Sequence, residues 1–275
     1  MKNYSGSLWS LVYSLFSNRS LIASMAKREV ISRYRGSLIG LAWSFLNPIL
    51  LLLVYTFVFS VVFKARWGGS RFGEGDDASV AIMIFTGMIV HALFSECIVR
   101  SPRLITGNVN FVKRVVFPLE ILPWVAMGAA SFHTLVSLLV LIIGQFILAG
   151  HVPWTALLIP IVFLPLILMT MGFTWLFAAS GVYFRDLSQL SAFISTILLF
   201  LSPVFYPLSA IPEKYQAVYY LNPLTYIIEV TRDLLIAGQL PSLIHLSLYF
   251  LASLCVAMLG FSWFQKTRRG FADVL

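Results

Sequence analysis

Uncharged apolar stretches alternate with short polar breaks along the chain, and their lengths predict a bundle of membrane-crossing helices. Residues 37–63 run for 27 positions without a charge, and a helix crosses the hydrocarbon with about 20 apolar residues. Asn47–Pro48 predicts a kink in this first span. Residues 78–99 form the second span, after a glycine-rich polar loop at 64–79 whose Glu74, Asp76 and Asp77 match no calcium-loop spacing. From 121 to 184 there are 64 residues without a charge, enough for two spans, with Gly150–His151–Val152–Pro153 as the turn between them. Residues 187–212 make the fifth uncharged stretch, and 234–265 the sixth, opened by Pro241.

The breaks have patterns of their own. Residues 5–20 place Leu8, Trp9, Val12, Leu15 and Phe16 on one helical face and Ser7, Ser10, Ser14 and Ser17 on the other, as in a helix lying in the membrane interface. Residues 21–34 predict a second helix, leading Lys27, Arg28, Arg33 and Arg35 towards the first span. Between the second and third spans, RSPRLITGNVNFVKRVVFPLEILP (100–123) predicts a short helical core bounded by Pro102 and Pro118. Late in the fifth stretch Pro203, Pro207 and Pro212 break the helix; after it Glu213–Lys214 form a polar tip, and an aromatic-rich segment over 215–226 is interrupted at Asn222–Pro223. Broken backbone at membrane depth is tolerated only where protein or a water-filled cavity surrounds it. Residues 181–225 therefore read as the wall and lid of a path through the membrane.

Composition agrees: 59% of residues are hydrophobic and 11% charged, against about 25% charged in an average soluble domain. The expected class is an all-α integral membrane protein: interface helices over 1–36, a transmembrane domain over 37–265 and a tail over 266–275. The start of the chain lacks the long apolar run and cleavage site of a signal peptide. Cys97 and Cys255 lie in apolar runs and read as membrane-buried thiols.

The net charge of +8 is mostly a topology signal. With both termini on one side, that side holds six Lys and Arg at the N-terminus, four over 100–114, Arg185 and three at the C-terminus, fourteen of the nineteen. Lys64, Arg66, Arg71, Lys214 and Arg232 fall on the other. Cytoplasmic loops carry the excess, so both termini are expected in the cytoplasm, and nucleic-acid binding does not follow from the charge.

Transport needs an energy source. No G-x-x-x-x-G-K-[ST] loop occurs, so the chain itself is expected to cradle no nucleotide. Ion-coupled carriers keep titratable groups in mid-membrane, whereas here Glu96, Glu120 and Glu229 fall near expected helix ends and His91, His133 and His245 read as isolated. No convergent acid–base or nucleophile cluster stands out and no metal site is expected, so the chain is not expected to be an enzyme. Energy is expected from a partner docking on 100–118, although the same segment also reads as a basic loop on anionic lipid.

Several runs together carry a resemblance: RYRGSLIGLAWSFLNPILLLLVYTFVF (33–59), NVNFVKRVVFPLEILP (108–123), GVYFRDLSQL (181–190), LSPVFYPLSAIP (201–212), YLNPLT (220–225) and FADVL (271–275). In order and over the full chain, they resemble permease subunits of ATP-binding-cassette polysaccharide exporters, which serve O-antigen, capsule and teichoic acid. The resemblance implies a homodimer of six-span subunits in the bacterial inner membrane, with two copies of a separate ATPase that binds ATP and Mg. It also implies an N-terminal interface helix, a coupling helix between spans two and three, and short re-entrant periplasmic helices between spans five and six. The cargo would be polysaccharide on polyprenyl diphosphate or another lipid.

On that footing spans one and five line a channel between protomers, with candidates Trp43, Tyr55, Phe59, Phe63, Phe193, Phe200, Phe205 and Tyr206, since sugar C–H groups pack on aromatic faces. Lipid-facing or helix-packing rings are the competing reading. Arg33 and Arg35 are candidates for the lipid headgroup, because guanidinium binds phosphate bidentately; anchoring to the cytoplasmic face competes. Coupling to the ATPase falls on Arg103, Asn108, Asn110, Phe111, Lys113 and Arg114, and on Arg185 and Asp186, read as a pair pinning the turn before span five. The alternatives are a permease of this architecture for drugs or lipids, a membrane glycan-modifying enzyme, or a structural scaffold.

Overall fold

The computed structural model describes residues 7–62, 77–113 and 117–275. Most of the loop expected over 64–79, together with Phe63 and Arg114, lies outside them. Among the described residues the secondary structure is entirely helical. The helices are α1 (Leu8–Ser17), α2 (Arg19–Tyr34), α3 (Trp43–Tyr55), α4 (Asp77–Arg100), α5 (Arg103–Thr106), α6 (Val109–Val112), α7 (Leu122–Ala149), α8 (Ile159–Tyr183), α9 (Leu187–Leu201), α10 (Glu213–Leu221), α11 (Thr225–Arg232), α12 (Leu243–Thr267) and α13 (Phe271–Val274). Among the described residues, five helical stretches are long and apolar enough to cross a membrane: Gly40–Phe59, Val80–Arg100, Leu119–Ala149, Trp154–Tyr183 and Leu243–Val274.

Local chemistry explains the boundaries. Ser7 caps α1, its side chain accepting from the Ser10 amide at 3.3 Å. In α1 Leu11 and Ser14 pack inward while Trp9 and Phe16 are exposed. Past Tyr55 the helix of α3 widens into a π-helix over Thr56–Val62. The turn expected at 150–153 is present: Gly150 takes the left-handed conformation (φ 73°) and its amide caps Phe146 at 3.0 Å. The sixth uncharged stretch begins its helix at Leu243, two residues beyond Pro241.

The fifth stretch differs from expectation. Its helix, α9, stops at Leu201 after 15 residues, about 22 Å at 1.5 Å per residue, against a hydrocarbon core of about 30 Å. Pro203 disfavours helical backbone at Ser202, which is extended (φ −93°, ψ 151°). Asn222 then ties the return to this break, donating to the Leu201 carbonyl at 3.1 Å and Ser202 Oγ at 2.9 Å and accepting from the Leu224 amide at 2.9 Å.

Arg232, counted above among the outer loop charges, is instead almost completely buried at the end of α11. Its guanidinium donates to Glu229 Oε1 at 2.9 Å, to the Met83 carbonyl in α4 at 3.1 Å and to the Val204 carbonyl at 2.9 Å. Fixing a buried charge requires such partners. One side chain thereby joins α4, the segment after α9, and α11. Cys97 is buried within the bundle, and Cys255 lies on the outer surface of α12, inside a stretch apolar enough to cross a membrane.

The core lies where α8 packs along α12 and α7 along α4. Trp175 at its centre meets Trp124 and Phe261 edge-on, with centroids 5.4 and 5.1 Å away. Gly172 and Gly260 let the backbones of α8 and α12 touch: a Cβ on Gly260 would stand 1.9 Å from the Gly172 carbonyl oxygen. Close approach at small residues is how membrane helices gain packing energy where no hydrophobic drive exists between them.

Candidate functional site

Polar groups gather at one place among the spans. Glu29 and Arg33 stand four apart on α2, Glu96 and Arg100 four apart on α4, and the two pairs interlock reciprocally. Arg33 Nη1 meets Glu96 Oε1 at 2.6 Å, and Arg100 Nη2 meets Glu29 Oε1. Arg100 also lies 3.6 Å from Glu96. From α7, His133 Nδ1 sits 3.2 Å from both Glu96 oxygens and 3.1 Å from Arg33 Nη1, while its Nε2 is 3.3 Å from Tyr34 Oη. A proton on Nδ1 serves Glu96, and its absence serves Arg33, so the tautomer selects the partner. His91 on α4 bonds the Ser195 carbonyl of α9 at 2.9 Å, and Ser95 Oγ lies 2.6 Å from Ser195 Oγ. Two of the three histidines read as isolated, His91 and His133, are therefore not isolated.

These groups border a cavity of about 720 Å³ whose wall also includes Ser32, Ala92, Val99 and Ala129. A smaller space of about 190 Å³ shares Arg33, Ala92, Glu96 and His133 with it and reaches Asn47 and Pro48 of α3. The signal in the sequence was the repeated Glu-x-x-x-Arg spacing at 29/33 and 96/100, which carries meaning only once α2 is known to pack beside α4 and α7. Burial raises the Tyr34 phenol above its ordinary range, Arg33 opposing and Glu96 reinforcing the shift.

The aromatic candidates fall into a series. Tyr55 lies 6.5 Å from both Phe85 and Phe59, Phe59 stacks on Phe205 at 6.4 Å with 17° between planes, and Phe205 meets Phe200 at 6.2 Å. Rings from α3, its π-helical extension, α4, α9 and the segment after α9 thus form one continuous line. Tyr206 donates to the Phe200 carbonyl at 2.5 Å and packs edge-on against Tyr219 of α10 at 6.2 Å. Phe193 and Phe200 are mostly exposed on α9. Trp43, half-buried, begins α3 about three turns before Tyr55 and is not a member of this line.

Arg35 is exposed at the end of α2, on a face shared with Lys27 and Arg28 that borders a groove of about 530 Å³. Arg33 points from a different face of the helix, to Glu96.

The segment expected to dock a partner is two single-turn helices, α5 and α6, in place of one core. Asn108 separates them, its side chain donating to the Leu104 carbonyl at 2.9 Å. Arg103, Asn110 and Lys113 are exposed, and Phe111 stacks on Phe117 at 4.3 Å. Leu104 and Ile105 are buried beneath. Arg185 and Asp186 are both exposed and form no salt bridge with each other; the turn is held by backbone bonds, among them Gln189 N to Asp186 O at 3.0 Å. The tail packs close by: Arg268 pairs with Glu120 and donates to the Phe117 carbonyl at 3.2 Å, and Phe271 is buried against Phe264.

Comparison with known proteins matches this architecture to relatives over nearly its full length. The chain is 30% identical over 267 residues to the O-antigen export system permease protein RfbA of Myxococcus xanthus, covering 96% of this chain and 98% of that one. An RfbA permease of Klebsiella pneumoniae is 24% identical over 257 residues, covering 93% and 95%. The polysialic acid transport protein KpsM of Escherichia coli is 23% identical over 250 residues, covering 86% and 90%. The ABC-2 type transporter profile matches residues 20–236, and with five long apolar helices among its described residues the chain belongs to the ABC-2 type transporter family of membrane proteins.

Proposed function

We propose that this protein is the transmembrane subunit of an ATP-driven exporter moving lipid-linked polysaccharide from cytoplasm to periplasm across the bacterial inner membrane. The observation that carries the reading is full-length similarity to O-antigen export permeases at 30% identity, across 98% of the relative. Two copies of the chain form a channel at their interface, lined by the ring series Tyr55, Phe59, Phe205 and Phe200 and by exposed Phe193. The continuity of these rings supports the assignment, because repeated weak contacts hold a sugar chain without trapping it. Residues 202–212 complete the crossing that α9 begins, α10 and α11 are the re-entrant return, and both termini are cytoplasmic.

Two copies of a separate ATPase, binding ATP and Mg, grip the surface made by Arg103, Asn108, Asn110, Phe111, Lys113, Arg185 and Asp186. The diphosphate headgroup meets Arg35 with Lys27 and Arg28, which share one face of α2. The test is to delete the gene and, separately, to purify the chain with its ATPase in lipid nanodiscs. Deletion is expected to leave polysaccharide inside the cell, and the complex to hydrolyse ATP. Normal surface polysaccharide in the deletion strain, or transport by the lone chain on a proton or sodium gradient, overturns the proposal.

A further inference from the structure

The cavity between α2, α4 and α7 has no part in the ring-lined path just described. Polar groups converging on one concave space mark a candidate binding site, and here four ionised side chains and two histidines do so. At about 720 Å³ the space lies within the range of about 300–1,000 Å³ that ligand pockets occupy. Its charges are open to that space: the Arg33 and Arg100 side chains keep 54% and 38% of their surface, though each is paired with a carboxylate. A network serving packing alone would be closed over.

The pairing decides the chemistry of the ligand. An anion would come against Glu29 and Glu96, and a cation against Arg33 and Arg100. An apolar ligand would strip water from four ionised groups and return nothing. A hydroxyl both donates and accepts, so it can bridge a guanidinium and its carboxylate without parting them. Several hydroxyls on one rigid ring can do so at once, while Ala92, Val99 and Ala129 offer apolar wall to the ring's C–H faces. We propose that this cavity binds an uncharged, hydroxyl-rich sugar unit, the part of the cargo nearest its lipid anchor. This rests on the exporter reading. The phosphates would lie outside the cavity, on the Lys27, Arg28 and Arg35 face of α2, with Ser32 bordering both spaces. The Ser95–Ser195 contact gives an occupied cavity a direct link to α9.

The test uses the full chain with its ATPase in nanodiscs, probed by saturation-transfer NMR with methyl glycosides of neutral hexoses and N-acetylhexosamines, and with inorganic diphosphate as competitor. Ala92 is exposed on the cavity wall, so Ala92→Phe fills the space without removing a polar contact, and Ala92→Ser is the size-matched control. Saturable binding of at least one glycoside is expected, weakened at least tenfold by Ala92→Phe, within twofold of wild type for Ala92→Ser, and undisturbed by diphosphate. Glu96→Gln, with an unchanged melting temperature, is expected to weaken it severalfold. No glycoside binding, equal binding by Ala92→Phe, or displacement by diphosphate overturns the site. Loss of the site with export intact leaves the exporter reading standing. Glycoside binding in a protein whose deletion leaves surface polysaccharide normal removes that reading, and with it the assignment of the sugar to cargo.

Discussion

Gly181, near the end of α8, lies against Pro102 so closely that a Cβ would stand 2.5 Å from the Pro102 carbonyl oxygen. Seven residues on, Ser188 accepts from Arg103 Nε at 3.4 Å. The short helix α5 is thus seated against the end of α8 and the turn that launches α9, and under the proposed docking a push on it would pass into α9 as rigid-body motion. Gly181→Ala forces the two backbones apart. Alanine favours helix by about 1 kcal/mol over glycine, but the overpacking costs about 1–3 kcal/mol. The expected outcome is a lowered melting temperature, together with ATP hydrolysis in the complex that persists while surface polysaccharide falls. Unchanged export and stability would show that this contact transmits nothing.

Arg232 carries the second prediction. Removing one partner of a buried ion pair costs about 3–5 kcal/mol, because the other is left uncompensated. Arg232→Met strands Glu229 and two carbonyls, those of Met83 and Val204. It should therefore lower the melting temperature more than any substitution at exposed Arg35. Adding Glu229→Gln to Arg232→Met should recover part of the loss, since the carboxylate hydrogen-bonded to the guanidinium is no longer stranded. Thermal unfolding of the three variants in one detergent decides the matter, and equal melting of Arg232→Met and wild type would refute the clamp.

These two contacts show where sequence reading stops. The apolar runs, the turn at Gly150 and the break at Pro203 were legible because hydrocarbon thickness, left-handed backbone and the missing proline N–H act within a few residues. The first helix was legible for the same reason, from its spacing of Leu8, Trp9 and Phe16. What decides Arg232 lies 149 residues away at Met83, and nothing local distinguishes it from a loop arginine. His133 likewise meets Arg33 a hundred residues earlier. That α9 stops at Leu201 followed from Pro203; the uncharged residues beyond it permit a helix and do not require one. Tyr55 and Phe59 were found by i, i+4 spacing, yet Phe205 enters their line from a proline-broken segment whose direction no period encodes.

The third prediction concerns the α8–α12 contact. A methyl group on Gly260 would stand 1.9 Å from the Gly172 oxygen, and one on Gly172 2.5 Å from the Val256 oxygen. Backbone atoms cannot rotate aside as a side chain can, so the helices must separate over several turns and forfeit contacts along the seam. Gly260→Ala is expected to cost at least about 3 kcal/mol, read as reduced folded yield and melting temperature. Gly150→Ala, strained only by its left-handed backbone with open space around it, should cost about 1–2 kcal/mol. A reversed order of severity would mean that α8 and α12 are not in backbone contact.

The stacked pair Phe59–Phe205 joins the π-helical end of α3 to the segment after α9. Aromatic pairs are worth about 0.5–1.5 kcal/mol beyond area burial, so a double-mutant cycle with Phe59→Leu and Phe205→Leu should show coupling of that size in stability. Leucine keeps apolar bulk and loses the flat face that sugar C–H groups pack on, so the same variants separate packing from transport. If the rings touch cargo, the double variant should show polysaccharide reaching the cell surface severalfold more slowly, with ATP hydrolysis by the complex within twofold of wild type. If they serve packing alone, the stability coupling appears and the rate of surface appearance does not move. Measured together, the two readouts assign the pair to the path or to the scaffold, because a lost ring face changes cargo contact without removing the apolar volume that holds the helices together.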